Sequence, residues 1–136
     1  MILIDTSFII ALINERDSYH QIAAELSQRF DRQPALTTDA ILLEIGDALS
    51  RPPWRASARD VISDLIDAPE IEIVSTDRQL FHEALEFFAK HDDKTYGLTD
   101  CISFVAMRER GITQALTCDK HFVQAGSQAL MLDLLN

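Results

Sequence analysis

The chain has few of the residues that build several common kinds of binding site. Its 136 residues include only four glycines and two cysteines. None of the glycines lies in a G-x-G-x-x-G or G-x-x-x-x-G-K-S/T motif, the loops that hold nucleotide phosphates. Cys101 and Cys118 lack the C-x-x-C spacing of a redox or zinc site. The sequence therefore argues against a nucleotide-binding loop, a zinc site and a disulfide scaffold, and it predicts two reduced thiols.

Long apolar runs and an early basic segment are also missing. The longest apolar run, Phe8 to Ile13, has six residues, whereas a membrane-spanning helix needs about 20. No Lys or Arg precedes Arg16, although a secretory signal requires a basic segment before its apolar one. The sequence thus predicts a cytoplasmic protein with no membrane span.

Basic residues are in the minority. The chain has 12 Lys and Arg against 22 Asp and Glu, a formal net charge of −10. This charge opposes nucleic-acid binding over a broad basic face, which argues against a simple DNA-binding module. The hydrophobic share of 47% is near the average of soluble globular chains. The length then predicts a single domain over residues 1–136.

Short apolar segments alternate with longer segments of helical period along the chain. Strands are predicted at residues 1–4, 35–37, 70–74 and 114–117, with an edge strand at 129–132. Helices are predicted in most of the intervals, including one that Asp17 or Ser18 caps and that ends near Phe30. This alternation is typical of an α/β domain with a mostly parallel sheet.

Two aspartates follow predicted strands. Asp5 comes directly after the first strand, and Asp119 comes two residues after Thr117 at the end of the fourth. Ligand sites in parallel sheets lie beyond the carboxyl ends of the strands, where these side chains are expected. The alternative is that each aspartate caps the helix or turn that follows it.

Two further acids lie in predicted helices that carry core residues. Glu44 is at the margin of an apolar stripe, where an ionised carboxylate is costly unless it is compensated. Alternatively, its side chain turns outward or pairs with Arg51. Asp100 shares a helix face with Phe104 and begins a nearly all-apolar helix. Its alternative role is that of a first-turn acid favoured by the helix dipole.

Together, Asp5, Glu44, Asp100 and Asp119 can converge at the carboxyl edge of one sheet. The sequence offers no matching set of internal cations, so mutual repulsion raises the pKa values of these groups unless a divalent ion holds them ionised. Oxygen ligands favour Mg²⁺ or Mn²⁺ over zinc. Such a site supports metal-assisted phosphodiester hydrolysis.

The motifs around these acids resemble those of a known family. Residues 2–7, Glu44, residues 97–104 and residues 115–122 are similar, in order and spacing, to the successive motifs of PIN-domain ribonucleases. The resemblance is strongest to the VapC-like toxins of type II toxin–antitoxin pairs. It implies a three-layer α/β/α fold, a Mg²⁺ or Mn²⁺ site formed by the four acids, and endonucleolytic cleavage of RNA.

The same resemblance implies supporting residues and partners. Thr6, Ser7 and Thr99 match hydroxyl positions beside the acids, and each can alternatively act as a helix cap. The implied partners are an RNA substrate, a cognate antitoxin protein and a second copy of the chain in a homodimer.

RNA binding to so acidic a chain requires local basic groups. Arg51 and Arg55 flank Trp54, in a segment that can follow a nucleic-acid backbone and stack one base. Alternatively, the Trp54 ring covers the core or a partner surface. Lys120 and His121 directly follow Asp119 and are the other candidate RNA contacts.

No two histidines are spaced as a catalytic acid–base pair, which disfavours attack by the RNA 2′-hydroxyl. Attack by water is therefore expected, leaving 5′-phosphate and 3′-hydroxyl ends. Two alternatives stay open. One is a catalytically silent PIN-fold binding module, and the other is a metal-dependent nuclease that acts on DNA or in RNA processing. A phosphotransfer receiver domain is disfavoured because no adjacent acidic pair follows the first strand.

Overall fold

The computed structural model of the protein describes residues 1–133, which form five strands and eight helices. The predicted domain extends to residue 136, so its last three residues lie outside the described range. In chain order the elements are β1 Ile2–Ile4, α1 Thr6–Ile13, α2 His20–Arg29, β2 Ala35–Thr38, α3 Asp39–Ala48, α4 Arg55–Asp67, β3 Ile71–Val74, α5 Arg78–Lys90, α6 Leu98–Arg110, β4 Gln114–Leu116, α7 Lys120–Gln124, β5 Gln128–Ala129 and α8 Leu130–Asp133.

The strands form one sheet in the order β3-β2-β1-β4-β5, and every pairing is parallel. All residues of β1 and β2 are buried, which requires cover on both faces of the sheet. Helices provide that cover, so the predicted three-layer α/β/α arrangement is confirmed. None of the helices within residues 1–133 has the length and hydropathy to span a bilayer.

The sheet brings the ends of β1 and β4 together. The register pairs Ile4 with Leu116, and the Asp5 N–H donates to the Leu116 carbonyl at 3.2 Å. After β1 the chain continues to β2, which lies on one side of β1 in the sheet, whereas β4 lies on the other side of β1. Residues that follow β1 and β4 therefore meet at the point where the strand order reverses, the usual place of a site in such sheets.

The first four predicted strands agree with the structure to within one residue at each end, whereas the edge strand and the start of α2 differ in ways that have a physical reason. The edge strand β5 is Gln128–Ala129, and residues 130–133 form helix α8 instead, so the strand prediction for 129–132 is wrong beyond its first residue. The Met131 N–H donates to the Thr117 carbonyl at 3.2 Å, and a short apolar run is compatible with either structure. The N-cap position of α2 is Tyr19 rather than Asp17 or Ser18, because the Asp17 side chain accepts from the Tyr19 N–H in a turn that precedes the helix. Both cysteines are free thiols, as predicted.

Candidate active site

Asp5 is a buried carboxylate at the carboxyl end of the central strand. It is 5% exposed, and its Oδ2 accepts hydrogen bonds from the Thr117 hydroxyl at 2.7 Å and the Ser7 hydroxyl at 3.3 Å. Although Asp5 occupies the N-cap position of α1, its side chain makes no capping hydrogen bond. The capping alternative is therefore wrong for Asp5, and its carboxylate is positioned by β4 rather than by its own helix.

Burial raises the pKa of Asp5 to about 7. The hydrogen bond from Thr117 opposes this shift, whereas the negative charges of Asp100 and Glu44 raise the pKa further. A carboxylate that is buried among like charges is stable in its ionised form only when a cation or several donors compensate it. The environment of Asp5 thus favours a bound cation beside it.

The Thr117 hydroxyl contacts Asp5, Ser7 and Asp119. Thr117 is not among the site residues that the sequence predicts. Its Oγ1 donates to Asp5, accepts from the Asp119 N–H at 3.0 Å and lies 3.1 Å from the Ser7 Oγ, which itself accepts from the Cys118 N–H. Thr117 is fully buried. The position next to Asp5 depends on the pairing of β1 with β4, so only the strand order could have revealed it from the sequence.

We expect Thr117→Val to lower the free energy of unfolding by about 1–3 kcal/mol, because it leaves the Asp119 N–H without its acceptor and removes the shorter of the two hydroxyl hydrogen bonds to Asp5. Thr117→Ser retains the hydroxyl and should lose less. Urea unfolding in EDTA measures both variants, with the exposed Thr113→Val as control. An unchanged midpoint for Thr117→Val contradicts this role.

Asp100, Asp119 and His121 form a cluster, in which one side-chain ligand atom of each lies within 4.8 Å of the others. The His121 Nδ1 is 3.2 Å from the Asp100 Oδ2 and 3.2 Å from the Asp119 Oδ1. All three side chains are half-buried, with Asp119 the most exposed at 32%. His121 was predicted only as an RNA contact, and the structure places it among the acids.

Asp100 and Asp119 also have the helix-start roles given as their alternatives, which are confirmed. These roles coexist with the cluster. The Asp119 Oδ1 accepts from the His121 N–H at 2.9 Å and caps α7. The Asp100 Oδ2 accepts from the Gly97 N–H at 3.1 Å in the first turn of α6. Burial raises the pKa of Asp100, the Gly97 hydrogen bond lowers it, and the charge of Asp119 raises it again. Local capping therefore orients both carboxylates without removing their mutual repulsion.

Glu44 is exposed on α3, so its outward orientation, the alternative weighed from the sequence, is confirmed. No ion pair between Glu44 and Arg51 exists among the described residues. The cluster of Asp100, Asp119 and His121 includes neither Glu44 nor Asp5. The charge of Glu44 nevertheless raises the pKa of Asp5, so Glu44 faces the same edge of the sheet.

The three candidate hydroxyls have different surroundings. Ser7 contacts Asp5, as described above. The Thr6 Oγ1 is buried and has no hydrogen-bond partner among residues 1–133. Thr99 is half-buried, and its carbonyl accepts from the Ser103 hydroxyl at 3.2 Å. Because the N-cap positions are Asp5 and Gly97, the capping alternative is wrong for all three.

The other candidate RNA contacts lie on the surface. Lys120 is exposed at the start of α7, beside the cluster. Arg51 and Arg55 are exposed, and the Arg55 Nη1 donates to the Ser50 carbonyl at 3.0 Å. Trp54 is half-buried and packs against the core, which confirms the alternative given for it. Its ring also lines a cleft of about 480 Å³.

The donor set fits a hard divalent ion. Asp5, Asp100 and Asp119 supply carboxylate oxygens, the ligands that Mg²⁺ and Mn²⁺ prefer. Burial raises the pKa values of two acids in this group, Asp5 and Asp100. The unpartnered Thr6 Oγ1 directly follows Asp5 and adds a buried polar atom without a protein partner among the described residues. A cation bound near the carboxylates offsets the raised pKa values of Asp5 and Asp100.

Comparison with known proteins shows similarity along nearly the whole chain. The PIN domain family profile matches residues 2–127. The chain is 34% identical over 128 residues to the 23S rRNA-specific endonuclease VapC20 of Mycobacterium tuberculosis, which covers 93% of this chain and 95% of that protein. It is 26% identical over 129 residues to the VapC ribonuclease R02377 of Rhizobium meliloti, covering 83% and 90%.

Solved structures show the same similarity in three dimensions. The crystal structure of M. tuberculosis VapC20, described as a sarcin-ricin loop cleaving toxin, matches with a TM-score of 0.85 at 28% identity, over 93% of this chain and 96% of that one. FitAcB from Neisseria gonorrhoeae matches with a TM-score of 0.65 at 15% identity, over 95% of both chains. The second similarity concerns the fold alone.

Proposed function

Because the chain belongs to the PIN domain family, we propose that it is a Mg²⁺- or Mn²⁺-dependent endoribonuclease and the toxin of a toxin–antitoxin pair. The single observation that carries this proposal is the gathering of one buried carboxylate, Asp5, and two half-buried carboxylates, Asp100 and Asp119, near the carboxyl ends of β1 and β4. Asp5 and Asp100 have pKa values raised by burial and by neighbouring acids. Relatives over most of the chain are named as endonucleases or ribonucleases, which supports RNA as the substrate.

Asp5, Asp100 and Asp119 are the proposed metal ligands, with Glu44 as a further acid at the same edge. A bound divalent ion lowers the pKa of a water molecule and offsets negative charge on the scissile phosphate. Thr117 and Ser7 orient the Asp5 carboxylate by donating to its Oδ2. The Gly97 and His121 N–H groups fix the other two carboxylates in the same way. The protein's own contribution is thus a rigid, preorganised set of oxygens.

Substrate binding must overcome a net charge of −10. Lys120 is the exposed cation next to the cluster and is proposed to contact a phosphate of the RNA backbone. Arg51 and Arg55 are exposed near Trp54, whose cleft also includes Arg16. We propose that this segment contacts RNA farther from the cleaved bond, where Trp54 offers an aromatic face.

The proposed partners follow from the family. A toxin requires a cognate antitoxin protein, and a homodimer is proposed as the assembly of the toxin itself. A cytoplasmic location suits an RNA substrate. Size-exclusion chromatography with light scattering tests the dimer, which requires a mass near twice 15.3 kDa; a mass of one chain contradicts it.

Cleavage of ribosomal RNA tests the proposed activity, since one relative is named as a 23S rRNA-specific endonuclease. Purified protein is incubated with intact ribosomes, with naked ribosomal RNA and with single- and double-stranded DNA, in Mg²⁺, in Mn²⁺ and in EDTA. We expect cuts in RNA that require the metal, and intact DNA. Cleavage of DNA supports the broader nuclease alternative. Absence of cleavage by folded, metal-bound protein supports the silent binding module.

A further inference from the structure

The imidazole of His121 lies against both carboxylates of the cluster, those of Asp100 and Asp119. Its Nδ1 lies 3.2 Å from one oxygen of Asp100 and 3.2 Å from one oxygen of Asp119. Adjacent ligand atoms of an octahedral ion, each about 2.1 Å from it, lie about 3.0 Å apart. The nitrogen therefore lies from each of the two oxygens at about the spacing of adjacent ligands on one ion, and all three ligand atoms lie within 4.8 Å of one another.

Two neighbours outside the cluster fix the orientation of the His121 ring. The Nε2 lies 2.9 Å from the Thr95 Oγ1, and the Tyr96 ring packs edge-on at a centroid distance of 5.5 Å and an angle of 82°. When the Nε2–H donates to Thr95, the Nδ1 lone pair faces the two carboxylates. Metal-binding histidines typically have such a hydrogen-bond partner on the ring nitrogen that does not bind the metal.

We propose that His121 Nδ1 is a metal ligand together with Asp100 and Asp119, and that it shifts the preference of the site from Mg²⁺ toward Mn²⁺. The inference rests on the proposed function, because it concerns the ion of that same site. Mg²⁺ takes oxygen ligands almost exclusively, whereas first-row transition ions also accept imidazole. A mixed set of two carboxylates and one imidazole thus favours Mn²⁺ more than an all-carboxylate set does.

Pulsed electron paramagnetic resonance of bound Mn²⁺ tests the ligand directly. We expect nitrogen hyperfine coupling in the wild-type protein, and its loss in His121→Ala and His121→Gln. The exposed His82→Ala is the matched control and should retain the coupling. Mn²⁺ bound to the wild-type protein without coordinated nitrogen overturns the inference and leaves the carboxylate site intact. This measurement uses the wild-type protein, so it does not depend on the folding of a variant.

Binding titrations with Mn²⁺ alone and with Mg²⁺ alone test the selectivity. Loss of the His121 side chain should raise the Kd for Mn²⁺ about 10- to 100-fold, with a much smaller change for Mg²⁺. Tighter binding of both ions by His121→Ala overturns the inference, since it shows that the imidazole competes with the ion for the carboxylates. If neither ion binds the wild-type protein, the proposed metal-dependent function fails together with this inference. Three failures are therefore distinguishable: Mn²⁺ bound without coordinated nitrogen, tighter binding of both ions by His121→Ala, and no binding of either ion by the wild-type protein.

Discussion

Metal-free Asp5→Asn should be more stable than the wild-type protein above neutral pH, by up to about 4 kcal/mol. The pKa of Asp5 is about 7 in the folded protein against 3.8 for the ordinary side chain. Near pH 4 and below, the Asp5 carboxyl group is protonated in the folded state, so folding carries almost no free-energy cost for burying a charge. As the pH rises, the unfolded state releases its proton first, so the free energy of unfolding falls until the pH passes about 7. Each pKa unit corresponds to about 1.4 kcal/mol.

Urea unfolding in EDTA at several pH values measures this difference. Asp47→Asn, at an exposed position of α3, changes the net charge by the same amount and serves as control. The stability gain of Asp5→Asn over this control should be small near pH 4, grow through pH 7 and then level off. If Asp5→Asn is no more stable than Asp47→Asn at pH 8, burial and the neighbouring negative charges do not destabilise the ionised Asp5 carboxylate, which contradicts this account. Excess Mg²⁺ or Mn²⁺ should then stabilise the wild-type protein more than the variant.

Asp100→Asn and Asp5→Asn should each reduce RNA cleavage by about three orders of magnitude or more, equivalent to about 4 kcal/mol in the activation barrier. Either change keeps the shape of the side chain but removes one negative charge from the proposed ligand set. In Asp5→Asn the remaining side-chain oxygen can still accept from Thr117. The loss is therefore expected in catalysis rather than in folding.

Single-turnover cleavage rates at saturating Mg²⁺ or Mn²⁺ measure this loss, again with Asp47→Asn as control. Asp119→Asn should have a smaller effect, because Asp119 is the more exposed acid and also caps α7. Near-normal rates for both Asp5→Asn and Asp100→Asn contradict the proposed roles of these residues, provided that the variants are folded.

The sequence predicts where Asp5, Asp100 and Asp119 lie because each has a recognisable position relative to a predicted strand or helix. Asp5 and Asp119 follow predicted strands, and parallel strands end at one edge of a sheet. Asp100 directly precedes seven consecutive buried residues of α6, Cys101 to Met107. Glu44 was harder to predict, since a residue at the margin of a stripe can point either way, and its side chain is exposed.

The missed contacts depend on which elements are neighbours. Thr117 donates to Asp5 only because β4 pairs with β1 in a register that no local pattern encodes. His121 reaches Asp100, 21 residues earlier in the chain, through the packing of α7 beside α6. The edge strand was placed too far along the chain, because the short apolar run at 129–132 has no period that separates strand from helix.

The chemical ends of the RNA products test the central claim most directly. The protein is incubated with ribosomal RNA in Mn²⁺ or Mg²⁺, beside an EDTA control, and the new ends are identified by their reactivity toward ligase, kinase and phosphatase. Hydrolysis by water at a carboxylate-bound ion predicts 5′-phosphate and 3′-hydroxyl ends that appear only with the metal. Products with 2′,3′-cyclic phosphate and 5′-hydroxyl ends, formed equally in EDTA, contradict it.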